Sequence, residues 1–296
     1  MANTLFTPDE AAKVTAAYAR KDLVLVNTVN RDVEADYAPG RGIGTVHVRV
    51  PGSAVAGTKS PSDTTTPLAT GQIVEQTIPV PLDTLVYHRN PLSVRDVTLS
   101  LHDYSTQILA PQAEAVAEYV ENRLVTAMQA TPETETLTFD PANPAKMFTA
   151  ARGILRGRGV PAGAPLIAAV GANVYGALLD AEAIGPDGKV RTFEVIESTR
   201  LGADEFIAYV PEAFAVALRA PIAPEGAPFA ASVKVNDDKG RQAFAALLIR
   251  QWNPTVAVEE SVVSLLAGAQ AMPLPVKNGA TVDLVENGGV VRVVTA

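Results

Sequence analysis

The spacing of apolar residues changes period several times along this chain, and each change predicts an element. Thr45-Val46-His47-Val48-Arg49-Val50 alternates, with three valines on one side and Thr45, His47 and Arg49 on the other, which is the period of a half-buried strand. Val74 to Leu82 supplies a partner, but Pro79 and Pro81 lack the amide donors of a central strand and predict an edge or a two-stranded ribbon. Between them, Pro51 to Gln72 is rich in Pro, Gly, Ser and Thr, with Val55 and Leu68 its large aliphatics. That connection far exceeds the roughly 2 to 5 residues of a usual hairpin loop. A two-stranded ribbon with such a tip is marginal alone, so the pattern predicts that something outside the subunit holds it.

Val97, Leu99 and Leu101 alternate again, and after Asp103-Tyr104-Ser105 the period becomes helical. Leu109, Ala113, Val116, Val120, Leu124 and Ala127 follow i, i+4, i+7 spacing, with Glu114, Glu118, Glu121 and Arg123 off the stripe, which predicts a long helix over 105–129. Pro111 falls in its first turns, where a missing donor is tolerated or kinks the helix. Upstream, Thr7-Pro8-Asp9-Glu10 reads as a capping box opening a short helix to Arg20. Leu23 to Val26 and the polar run Asn30 to Asp36 follow, so the first stretch reads as an arm with little core of its own.

Beyond the long helix the chain reads as mixed helix and strand. Asn143-Pro144 opens a helix through Phe148, Ala151 and Leu155, ended by Gly157 to Pro161. Strands are predicted at Leu166 to Val170, Phe193 to Glu197, Phe206 to Val210 and Ala215 to Leu218, with a short helix at Val174 to Leu179. Val233 to Val235 and Phe244 to Ile249 flank the turn residues Asn236 to Gly240, a strand, reversal and strand. A further strand is expected at Val256 to Val258, and Ala280 to Val294 reads as a small hairpin around Glu286-Asn287-Gly288-Gly289.

Composition narrows the classes. At 296 residues with 47% hydrophobic and 19% charged, the chain can build a large core, at a length that suggests about two domains. Zero cysteines remove disulfides, thiolate metal sites and cysteine nucleophiles. A formal charge of -8 argues against strong sequence-independent DNA binding, which needs a basic footprint, although a mildly acidic wall suits a container that must release its contents. No stretch approaches the roughly 18 apolar residues of a membrane span, and Met1 to Glu10 carries no signal-like core, so a soluble, cytoplasmically made protein without membrane contact is expected.

Motifs for chemistry are weak. His47, His88 and His102 lack metal spacing. Gly40 to Gly44 precedes a strand where a phosphate loop needs a helix, and the glycines around Arg156 and Arg158 carry no Gly-Lys-Ser/Thr. Arg152 and Arg156, one turn apart, read as a solvated face or as partners for acids of a neighbouring subunit. Neither a nucleophile elbow nor a calcium loop occurs. No catalytic, cofactor-binding or metal site is expected.

The order of elements, together with Asn30-Arg31-Asp32 and Gly42 to Pro51, His102 to Pro111, Phe193 to Ser198, Ala208-Tyr209, Glu212 to Ala215 and Arg219 to Pro221, resembles the major capsid proteins of tailed bacteriophages. The likeness is strongest to coat proteins of phages infecting actinobacteria and covers roughly Leu23 to Leu266. It implies an α+β, Hong Kong 97-like coat-protein fold with N-terminal arm, extended loop, spine helix, peripheral domain and apical domain. On that template 1–39 would be the arm, 40–85 the extended loop, 86–142 with 251–272 the peripheral domain, 143–250 the apical domain and 273–296 a C-terminal hairpin extension. The partners implied are other copies of the chain in hexamers and pentamers, with scaffolding, portal and decoration proteins, around DNA enclosed without sequence-specific binding. The shell would be the virion capsid, assembled in the host cytoplasm. The family supplies no catalytic residues to carry over. Encapsulin compartments share the fold and are the alternative, with a soluble enzyme or ligand-binding protein further off. Candidate inter-subunit contacts are Arg41, Val46, Val48, Arg49, Val50 and Lys59.

Overall fold

The computed structural model describes residues 7–31, 44–68, 70, 73–92, 104–134, 137–227, 229–236, 242–256, 258–278 and 281–294. The strand expected at Val97 to Leu101, His102, Arg41 and the turn at 237–240 lie outside them. The chain divides into two compact units: one takes in described residues up to Val46, from Val80 to Thr126 and from Val216 to Gln270, and the other holds the remainder.

Helix α1 (Pro8–Asp22) opens the first unit with the capping box that Thr7 and Glu10 predict. Its Ala11, Ala12, Thr15, Ala16 and Ala19 are buried, and it packs on β9 (Phe229–Asn236) and β10 (Gln242–Asn253). Leu23, Leu25, Val26 and Val29 are buried after it. The expectation of an arm with little core of its own is therefore corrected: small alanines let the helix sit close to the sheet, and the following aliphatics extend that contact.

The sheet of this unit runs β3 (Thr84–Leu92), β11 (Val258–Ala271), β10, β9, and β8 (Phe214–Arg219) also pairs with β11. Strand β11 extends far past the residues expected of it, because a strand with neighbours on both sides need not alternate. Gly268 lets it pass Pro81, whose carbonyl oxygen would lie 2.3 Å from an added Cβ.

A single π-helical turn, Ser105–Leu109, leads into helix α2 (Ala110–Gln129). Ala110 donates its N–H to the Ser105 carbonyl, one residue further back than in an α-helix. The widened turn removes the crowding that Pro111 would otherwise meet from the carbonyl four residues behind it. Of the predicted stripe, Leu109, Ala113, Val116, Val120 and Leu124 are buried, and Ala127 is half-buried.

Glu121 departs from its predicted place on the outer face: it is 1% exposed. One carboxylate oxygen accepts from the N–H of Val24 at 2.6 Å and of Val26 at 3.1 Å, and the other accepts from Leu25 at 3.2 Å. Three consecutive amides form a concavity suited to an anion, and Glu121 fills it from inside the chain. Glu121→Ala is expected to leave these donors without their partner and to destabilise the unit by about 3 kcal/mol, since an unsatisfied buried donor costs about 1–3 kcal/mol. Chemical denaturation checks the loss, and amide exchange should rise first at Val24 to Val26. Unchanged exchange there would contradict the anchoring role.

A buried polar cluster joins α2 to the same sheet. Ser261 Oγ donates to Gln112 Oε1 at 2.8 Å, Gln112 Nε2 donates to the Ser261 carbonyl at 3.0 Å, and Tyr104 OH donates to Ser261 Oγ at 3.3 Å. Each small polar residue here has a partner, which makes burial of the group tolerable.

In the second unit a five-stranded sheet runs β14 (Val290–Val294), β7 (Glu205–Tyr209), β4 (Leu166–Val170), β6 (Phe193–Glu197), β5 (Lys189–Val190). Strands β4 and β6 are parallel, and β4 with β7 and β7 with β14 are antiparallel. Helix α3 (Ala145–Gly157) drives Phe148 into this core, edge-on to Phe193 and Phe206 with ring centres 5.7 and 4.9 Å away. Helix α4 (Ala172–Asp180) starts at Gly171, where a Cβ would lie 1.9 Å from the Gly202 carbonyl oxygen. Arg156 is not a solvated charge: its guanidinium donates to the carbonyls of Pro161 and, at 3.0 Å, Ala164, clasping the loop after α3.

Two boundaries change. The expected C-terminal hairpin does not form: β13 (Thr281–Val285) pairs with β12 (Leu274–Asn278), whereas β14 joins the five-stranded sheet. Val290, Val291 and Val293 are buried there, more fully than a two-stranded hairpin could cover them. The block expected as a continuous 143–250 is also divided, because β9 and β10 belong to the first unit's sheet and the C-terminal strand belongs to the second's.

Candidate assembly surface

Strands β1 (Thr45–Ser53) and β2 (Val74–Pro81) form the two-stranded ribbon that alternation predicts. Its base is closed by the Leu82 N–H donating to the Gly44 carbonyl at 2.7 Å. Val46, Val48 and Val50 are 3%, 2% and 4% exposed. The valine face is thus already covered by this chain, which corrects the idea that it is free to receive a neighbour. Arg49 and His47 lie on the opposite, exposed face, as strand alternation requires.

Among the described residues of the tip none is fully buried, and Val55 and Asp63 are half-buried. Lys59 is exposed and its ammonium donates to the Thr66 carbonyl. Asp63 Oδ1 accepts from the N–H groups of Thr65 and Thr66 at 2.9 and 3.0 Å and from the Thr65 hydroxyl at 3.0 Å, the side-chain-to-backbone turn that Asp favours. Bonds from Thr66 and then Thr65 hold the Asp63 carboxyl well below the usual carboxylate range. Leu68 and Ile73 are 81% and 65% exposed. Ile73 was not singled out by the sequence, although an aliphatic at the end of a Gly, Ser and Thr run was the signal for it.

The surface combines cations (Arg49, Lys59), exposed aliphatics and an irregular backbone. Among the described residues no group of three or more His, Asp or Glu is placed to hold a metal ion, and no helix is long and apolar enough to cross a membrane. In the second unit a cleft of about 260 Å³ has Arg158 at its wall. Arg158 donates to the Val290 carbonyl at 2.6 Å, and burial lowers its pKa, so it is engaged in holding β14.

No protein-family model and no curated protein sequence matches the chain. Solved structures do. A structure from Mycobacterium phage Che8 superposes with a TM-score of 0.52 at 17% identity, covering 92% of this chain and 90% of that one. The capsid of a native GTA particle gives 0.53 at 12% identity over 100% and 93%. A virus-like particle from Pyrococcus furiosus gives 0.51 at 12% identity over 96% and 97%. These likenesses, each over nine-tenths or more of both chains, show the fold: the chain has the α+β fold of tailed-phage capsid proteins.

Proposed function

We propose that this chain is a major capsid protein that self-assembles into an icosahedral shell around the double-stranded DNA of a tailed phage. The observation that carries the reading is fold agreement along nearly the whole length with a capsid of a native GTA particle, joined to a ribbon tip whose Leu68 and Ile73 are 81% and 65% exposed. A surface segment so poor in internal burial gains order from a neighbour. Arg49, Lys59, Leu68 and Ile73 are the residues proposed to dock there, and Val46, Val48 and Val50 stiffen the ribbon that presents them. Arg41 belongs to the same proposed contact set.

The mechanism is mass action among identical subunits. Each contact is weak, but a subunit held by several neighbours gains avidity, and closed symmetry ends growth. Hexamers and pentamers are the proposed building blocks, with scaffolding, portal and decoration proteins as further partners. Assembly takes place in the host cytoplasm and the product is the virion capsid. The role is structural, with neither cofactor nor catalysis. The net charge of -8 is consistent with enclosing DNA without gripping it.

Size-exclusion chromatography with light scattering tests this reading. Masses of five or six copies, or of complete shells, are expected from the purified chain, and a monomer at high micromolar concentration would contradict it. An encapsulin-like compartment would give shells as well, but shells that fill with a peptide-tagged cargo rather than respond to a phage scaffolding protein.

A further inference from the structure

Trp252 is the chain's single tryptophan, and it is 59% exposed. It stands at the end of β10, just before the turn that leads to β11, and Val256 in that turn is 57% exposed. The backbone around them is held firmly. Asn253 Oδ1 accepts from the Thr255 N–H at 2.9 Å, while Asn253 Nδ2 donates to Glu260 Oε1 at 2.6 Å. Glu260 is buried and also receives the Arg89 guanidinium from β3. Pro254 restricts the turn further. The turn is therefore fixed by groups other than the two apolar side chains it displays.

A large aromatic held in water on a stiffened turn contributes little to the isolated subunit. Binding anchors have this form: a tryptophan presented without ordering cost, seated in a partner's pocket. The size of the knob selects the partner. An aromatic side chain buries about 150–250 Å², whereas a stable one-to-one complex needs about 800 Å² from each side. Such a knob is too small to hold a separate protein by itself, but it suffices where the same contact recurs around a lattice and every subunit is held at several points.

We propose that Trp252 and Val256 anchor each subunit to a second copy of this chain in the assembled shell. This rests on the shell reading above, and the test separates the two. Because Trp252 is the sole indole, its fluorescence reports this surface alone. On assembly of the full chain, its emission should shift to shorter wavelength and acrylamide quenching should fall about threefold relative to free subunits, as expected for an indole leaving water. Trp252→Ala should melt with the parent yet need about tenfold more protein to assemble, in line with loss of an interface hot spot, and Trp252→Phe should recover part of that loss. Shells whose Trp252 emission and quenching equal those of free subunits overturn the inference and leave the shell reading intact. In that case the knob faces solvent or a different protein. The quenching measurement needs no variant, so it decides even if Trp252→Ala fails to fold. A parent chain that never forms multi-copy species overturns both.

Discussion

Glu205→Ala is expected to destabilise the second unit by about 3 kcal/mol, the lower end of the cost of removing one partner from a buried ion pair. Glu205 opens β7, next to the edge strand β14 of the five-stranded sheet, and is 3% exposed. Its Oε1 accepts from Arg292 Nε at 2.7 Å, and its Oε2 accepts from Gln129 Nε2 at 2.7 Å and from the Gly202 N–H at 3.2 Å. Arg292 sits on β14 and Gln129 at the last turn of α2, so one carboxylate ties the C-terminal strand, the end of the long helix and a loop within that unit. Alanine leaves the Arg292 charge without this acid, retaining a bond to the Thr131 carbonyl at 3.4 Å. Partial access of water to Arg292, 19% exposed, is why the lower figure applies. Urea denaturation followed at the second unit should show the loss. Combining Glu205→Ala with Arg292→Leu should restore part of it, because no unpaired cation then remains. Equal losses in the single and double variants would contradict the pairing.

Removing Ser53 to Thr70 and joining the ends through Asn-Gly is expected to abolish or misdirect shell formation while the melting temperature and circular dichroism stay those of the parent. The physical case is the contrast along the ribbon. Val46, Val48 and Val50 are buried and remain in the variant, and Asn-Gly suits a tight two-residue hairpin. What leaves is the exposed tip with Lys59, Asp63 and Leu68, whose hydrogen bonds are local to the tip. Loss of the tip therefore removes proposed docking groups and hardly any internal burial. A variant that melts as an unfolded chain, or that builds normal shells, would contradict this division of labour.

Much of this was legible in the amino-acid order. Thr7 and Glu10 announced the first helix, the valine alternation announced β1, and the stripe from Leu109 to Leu124 announced the long helix with Pro111 at its entry. The misses share a cause: local pattern does not say which partner a segment will find. Glu121 and Glu205 look like ordinary surface acids, yet each is buried because distant amides or a distant arginine satisfy it. Asn287-Gly288-Gly289 makes a real turn, with Asn287 at positive φ and the Gly288 N–H donating to the Val285 carbonyl. The strands it joins nonetheless part, since β14 gains more burial beside β7. Around His88 the sequence is strand-like, but the bounds of β3 are not legible because Arg89-Asn90-Pro91 interrupts the pattern, although proline is admissible at a sheet edge. For the assembly surface, alternation gave the two faces of β1 correctly, but not that the valine face would be covered by the chain itself.

The central claim is that subunits of this chain complete one another in a closed shell. Cryo-electron microscopy of the purified full chain at high micromolar concentration tests it most directly. Closed shells, or five- and six-membered rings, are expected, with the Ser53 to Thr70 tip resting on an adjacent subunit. Dispersed monomers with that tip ordered against their own body would contradict the account.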